Sequence, residues 1–179
     1  MSACRIWVGL AVIATLAMVT AEAVTVIAAQ TTKADVGPVI QNRFHLPPAV
    51  AKSFREAFPR AEIQKLDVEE EDGVRVYDFE FRNGSVEQET DIAGDGTILE
   101  VTLVVDAQAV PSTVLKAIAT AADGGRVGRI EKSDINYKTK DGKIVKLAKP
   151  ATHFAAEIVK GGKSSELVFT PEGTRVKDR

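Results

Sequence analysis

Cysteine and tryptophan each occur once, at Cys4 and Trp7, and histidine only twice, at His45 and His153. A single thiol excludes an intrachain disulfide, a CxxC redox pair and a cysteine zinc cluster. The two imidazoles are far apart in sequence and fit neither HExxH nor any Cys/His ligand spacing. No serine stands in GxSxG or SxxK, and neither GxxxxGK[ST] nor GxGxxG occurs, so the usual signals of nucleophilic and nucleotide chemistry are missing. Long low-complexity tracts are missing too. With 45% hydrophobic and 27% charged residues over 179 positions, the chain has the balance of a globular protein with a packed core. The expectation is a non-enzymatic chain with no catalytic, cofactor-binding or metal-binding residue and no cofactor.

What is present begins with an apolar run. Residues 6–21 are uncharged, follow Arg5, and end in small residues at Ala21-Glu22-Ala23 and again at Ala28-Ala29. That is a secretory signal pattern, and the run falls short of the roughly 20 residues that cross a bilayer. Residues 1–29 are therefore expected to be a cleaved signal peptide, with retention as a membrane anchor as the alternative. Cys4 precedes the run, so it is no lipobox cysteine, and the processed chain must rely on packing alone. Residues 30–45 show neither helical nor strand periodicity, contain Gly37-Pro38, and read as a linker.

Beyond that point the chain reads as two copies of one unit. At an offset of 64, Leu46-Pro47-Pro48-Ala49-Val50 lies over Val110-Pro111-Ser112-Thr113-Val114, each segment opening a helix with proline at its start. Val50, Phe54 and Ala57, and likewise Val114, Ile118 and Ala121, are spaced to share one helix face. Phe58-Pro59 and Asp123-Gly124-Gly125 stop these helices. At an offset of 77, Tyr77-Asp78-Phe79-Glu80-Phe81 lies over residues 154–158, Gly84 over Gly161, and Asp95-Gly96-Thr97 over Glu172-Gly173-Thr174. Residues 63–68 read as a first strand with Glu70-Glu71-Asp72-Gly73 as its turn. Tyr77 to Phe81 alternates as a half-buried strand, and Asn83-Gly84 signals a hairpin into a return strand at 86–92. Leu99, Val101, Leu103 and Val105 offer a further alternating face. The expected fold class is α+β: two tandem units, 46–109 and 110–179, each a helix packed on one face of an antiparallel sheet of about four strands. An inserted hairpin is expected near 133–150, turning at Lys140-Asp141-Gly142-Lys143.

Leu46-Pro47 with Val50 and Phe54, then Phe58-Pro59, Tyr77-Asp78-Phe79-Glu80-Phe81, Asn83-Gly84 and Asp95-Gly96 together resemble the PepSY-like family, and specifically its tandem, beta-lactamase-inhibitor-like form. The resemblance spans residues 46–177. The second copy departs from it where Phe154-Ala155-Ala156 replaces the aromatic strand signature and Glu172 replaces the turn aspartate. It implies a bacterial extracytoplasmic protein that binds or restrains other proteins, peptidases among them, and it supplies no catalytic residues.

Charge is distributed unevenly. Residues 46–109 hold six basic and fifteen acidic side chains, net −9, whereas 110–179 hold fourteen and eight, net +6. Such asymmetry either fixes the two halves against each other, steers separate partners, or records drift in solvated faces. Asp67, Glu69, Glu70, Glu71 and Asp72 form the densest run, and Asp91 to Gly96 imitates part of an EF-hand loop. Both read as solvated turns, with cation binding as the alternative. Lys138, Lys140, Lys143, Lys146 and Lys149 lack the interleaved aromatics of a nucleic-acid surface, and His45 and His153 read as boundary residues. The functional expectation is an extracytoplasmic protein-binding module, regulating or inhibiting a peptidase or other envelope protein, with a cation or small-ligand sensor using acidic turns as the alternative. The expected partner is another extracytoplasmic protein, not nucleic acid, and a membrane only if the signal segment is retained. Recognition is expected along a sheet face or edge, with residues 74–81 and 98–105 as the candidate edges.

Overall fold

The computed structural model describes residues 45–176; the expected signal peptide and nearly all of the linker lie outside them. Helix α1, Pro48–Ala57, starts on Pro47-Pro48 with no side-chain cap. Proline costs nothing there, because the first amides of a helix have no intrahelical acceptor. Four strands follow: β1, Ala61–Glu71; β2, Val74–Asn83; β3, Val86–Ala93; and β4, Ile98–Val104. Helix α2, Ser112–Ala122, ends at Asp123 in the left-handed region, and β5, Arg126–Lys140, β6, Lys143–Lys160, and β7, Lys163–Phe169, complete the chain.

All seven strands form one antiparallel sheet in the order β1-β2-β3-β4-β5-β6-β7. This corrects the expectation of two tandem helix-on-sheet units. Strand β4 pairs with β5 from Glu100↔Ile135 to Val104↔Glu131, and that ladder makes the two halves continuous. Two helix-opening prolines and two sets of turns look alike whether their strands close separate sheets or extend a common one, so sequence periodicity could not distinguish them. Three strands, not about four, follow α2.

Both helices lie on the same sheet face. Phe54 of α1 is 1% exposed, stacks on Phe79 at 4.4 Å between ring centroids and meets Phe81 edge-on at 5.1 Å, with Val50, Ala51, Tyr77 and Ile92 completing that core. A second core surrounds Val114, Ile118 and Ala122 of α2, packed on Ile130, Phe154, Ile158 and Phe169. Ala57 and Ala121, expected to share these faces, are exposed, and Ala51 and Ala122 are buried instead. The apolar stripe drifts around each short helix.

The turns follow their glycines. Asp72 and Gly73 both have positive φ (47° and 80°), as a two-residue type I′ loop requires. Asn83 pairs with Val86, so the next loop is Gly84-Ser85, one residue later than the Asn-Gly reading. Gly96, at φ +91°, packs so closely on α1 that a Cβ there would lie 2.9 Å from the carbonyl oxygen of Ala49. Gly173 makes the same approach to Thr113 of α2, at 2.8 Å. A bulge between Asp91 and Ile92 puts Ile98 on the helix side and Leu99 on the other, which breaks the expected alternation from Leu99 to Val105.

Candidate functional site

Among the described residues the opposite sheet face carries no helix, and it is concave. In a flat sheet the β1-β2 and β5-β6 turns would lie about four strand spacings, ~19 Å, apart. Instead the amide of Gly142 donates to the carbonyl oxygen of Asp72 at 2.6 Å. Beneath this contact Val76, Ala93 and Leu99 are buried against Val74, Tyr137 and Ile144, an apolar plug that closes one end of the curl. The long β5-β6 hairpin is what reaches across, and the Nζ of Lys146 lies 6.0 Å from the Tyr137 ring centre.

Strand alternation lines this trough with carboxylates. Residues directly opposite in a ladder share a face, so the pairs Asp67↔Asp78, Asp78↔Asp91 and Asp91↔Glu100 set four acids across four adjacent strands. The neighbouring row runs Lys65, Glu80, Glu89, Thr102, Ser133 and His153. Like charges directly opposite cost stability, so packing alone does not favour such a surface. Asp78 is only 6% exposed. Across β4 and β5, the Ser133 hydroxyl lies 2.7 Å from that of Thr102, which donates to Glu100 at 3.1 Å.

Near the open end a pocket of about 160 Å³ is lined by Glu80, Glu87, Glu89, Thr102, Arg129 and Glu131, among others. Arg129 reaches three carboxylates: Glu131 in close contact, Glu89 at 3.1 Å and Glu87 at 3.8 Å. Glu87 is held more closely by Arg82, at 3.0 Å, which leaves Arg129 as the guanidinium bonded to Glu89 and Glu131. Burial, then the negative charge of Glu131, push Glu89 up to about 7, and the Arg129 charge offsets this only in part. Burial also raises Glu131 against the opposing pull of Arg129. Arg129 itself loses hydration on burial, yet the surrounding carboxylates hold its pKa above the ordinary value. Lys65, bonded to Asp67 at 2.7 Å and Glu80 at 3.0 Å, is raised by those two hydrogen bonds.

The residues singled out from sequence fall into different places. The acidic run does not converge: Asp67 and Glu69 face the trough, Val68 and Glu70 face the helix side, and Asp72 sits in the turn. The EF-hand-like stretch also divides. Asp91 lies in the trough, whereas Asp95 accepts the amide of Thr97 at 2.8 Å within the turn. Among the described residues no group of three or more His, Cys, Asp or Glu side chains is arranged to hold a metal ion. His45 is exposed at φ +54°, and His153 is half-buried opposite Ser133. Residues 74–81 and 98–105 are not edges, since β2 and β4 are interior strands; β1 and β7 end the sheet. Glu89, Arg129 and Glu131 were not singled out from sequence. The alternation Glu87-Gln88-Glu89-Thr90-Asp91 was the available signal, but nothing in it places Arg129 alongside.

No protein-family model matches the chain, and no curated protein does so. Several solved structures share its fold. A candidate periplasmic protein from Bacteroides eggerthii superposes with a TM-score of 0.53 at 15% identity, covering 74% of this chain and 86% of that one. A DUF2874 family protein from Bacteroides uniformis gives 0.53 at 17%, covering 73% and 86%. A BLIP-like protein from Bacteroides fragilis gives 0.50 at 16%, covering 78% and 90%. The likeness is one of fold and agrees with the beta-lactamase-inhibitor-like half of the sequence resemblance; none of the three is described as PepSY. Among the described residues no helix is long and apolar enough to cross a membrane.

Proposed function

We propose that this chain is a non-enzymatic, extracytoplasmic protein-binding module whose concave face receives a basic surface of another envelope protein. The observation that carries the reading is the trough: the acids of its two neighbouring rows, with Glu87 and Glu131, stand on the face that bears no helix among the described residues, and the cations bonded to them there are Lys65, Arg82 and Arg129. Like-charge rows are costly in the free protein, and a cationic partner converts that cost into complementary pairing. The signal-peptide pattern supports the compartment, and the shared fold with a candidate periplasmic protein agrees with it. Peptidases are the partners to which the PepSY-like resemblance points, with restraint of their activity as the consequence of binding.

The test is capture from a bacterial envelope extract on the immobilised chain, washed at rising salt, with the Glu87→Gln/Glu89→Gln double variant in parallel. A partner that elutes with salt and is retained about three- to tenfold less by the variant supports the reading, given the ordinary value of interface charge pairs. Equal retention by both proteins, or retention indifferent to salt, refutes it.

A further inference from the structure

The two ends of the sheet are treated differently by the chain itself. At β7 the C-terminal residues fold back: Arg175 bridges to Phe169, and the amide of Val176 donates to the carbonyl oxygen of Val168 at 2.8 Å. At β1, among the described residues, no strand lies beyond. Strand β1 is also long, eleven residues or about 36 Å, and from Lys65 to Glu71 its ladder with β2 runs without a shift in register. An extended edge of this kind is a template for another strand.

Its side chains restrict what can add. Ala61–Glu71 carries five carboxylates, Glu62, Asp67, Glu69, Glu70 and Glu71, and one amine, Lys65. Two β1 edges brought together would oppose carboxylate to carboxylate, which disfavours pairing between copies of this chain. A strand bearing lysine or arginine meets the opposite situation. Val68, 53% exposed on the helix side, adds an apolar contact for the alternate face of such a strand. We infer that β1 is a strand-addition site for an extended, basic segment of a partner protein, one that alternates cationic with apolar residues and pairs through its backbone. The pairing groups are the outer backbone amides and carbonyls of β1, so the inference does not depend on the reading given above, although Lys65, Asp67 and Glu69 of this strand also face the trough.

The experiment uses the full chain and a synthetic peptide that alternates lysine with valine and threonine, followed by fluorescence anisotropy and by amide hydrogen exchange read residue by residue. A second peptide carries the same side chains with N-methyl groups at every other amide, so it keeps the charge but cannot form a ladder. A third replaces lysine with glutamate. Binding of the first alone, with slowed exchange confined to residues 61–71, is the expected result. The Glu62→Gln/Glu70→Gln variant should weaken it about fivefold, the effect of removing two exposed charges. Glu87→Gln/Glu89→Gln should leave the protected region unchanged, which separates this site from the trough. Equal binding of the N-methylated peptide, protection only on the concave face, or no protection of 61–71 at low salt overturns the inference.

Discussion

Replacing Glu89 by glutamine tests the electrostatics of the trough directly. Its carboxyl titrates near 7 in the folded protein, against an ordinary value of 4.5. Because this acid is raised on folding, the folded state holds its proton more tightly than the unfolded state between those two values. Stability then falls as pH rises through that window, opposite to the behaviour of a salt-bridged carboxylate. Below about pH 4.5 both states are protonated and Glu89 contributes no penalty; above about pH 7 both are ionised and the penalty is complete. A shift of this size corresponds to at most ~3 kcal/mol, and screening at a side chain 31% exposed reduces the expected cost to about 1–2 kcal/mol. Glutamine keeps an oxygen that can accept from Arg129 and cannot ionise. Urea unfolding followed by far-UV circular dichroism suits a chain whose only tryptophan, Trp7, is outside the described residues. The variant should match the wild type at pH 4.5 and exceed it by about 1–2 kcal/mol at pH 8, roughly 3–8 °C in Tm. A stability difference that does not change with pH, or a wild type that gains stability relative to the variant between pH 4.5 and 7, refutes the reasoning.

Three further outcomes are expected. Phe54→Ala removes the ring that Phe79 and Phe81 pack against and should cost about 3–5 kcal/mol by the same unfolding measurement. Gly96→Ala forces a methyl against the Ala49 carbonyl at positive φ and should cost at least about 2 kcal/mol, whereas Gly84→Ala, at positive φ but facing open space, should cost about 1 kcal/mol. Tyr137→Ala should loosen the plug over Val76 and Leu99 and accelerate amide exchange at the Asp72-Gly142 turn contact, with little change at the distant α2 core.

The local devices of this fold were legible in the sequence to different degrees. Proline-led helices, the β2 aromatic alternation and the Asp-Gly turns stand where their residues imply, because each is set by constraints on a few neighbouring positions. Gly96 and Gly173, aligned at one offset, pack on Ala49 and Thr113, aligned at another, so the correspondence between the halves has a packing consequence. That correspondence sits within a single sheet and does not divide it. The β4-β5 ladder is a long-range pairing, and nothing in residues 100–104 or 131–135 singles out that partner over another strand. The same limit applies to the trough. The surplus of acid in residues 46–109 could be counted from sequence, but its concentration on one concave face required the curl, in which Gly142 meets Asp72 and Tyr137 and Ile144 pack on Val76 and Leu99 across long sequence separations. Four register shifts, at Ile63/Lys65, Asp91/Ile92, Val127/Ile130 and Ile135/Tyr137, reset which side chains face inward, and none leaves a signature that alternation would detect.

The central claim is that a basic partner seats on the concave face. The most direct measurement is site-specific photo-crosslinking in the bacterial envelope, with the reactive residue placed at Glu87, exposed at the open end of the trough, or at Lys116, exposed on α2. The account predicts a discrete crosslinked partner from position 87 that is lost at high salt, and none from position 116. Equal crosslinking from both positions, or a partner found only from position 116, would contradict it.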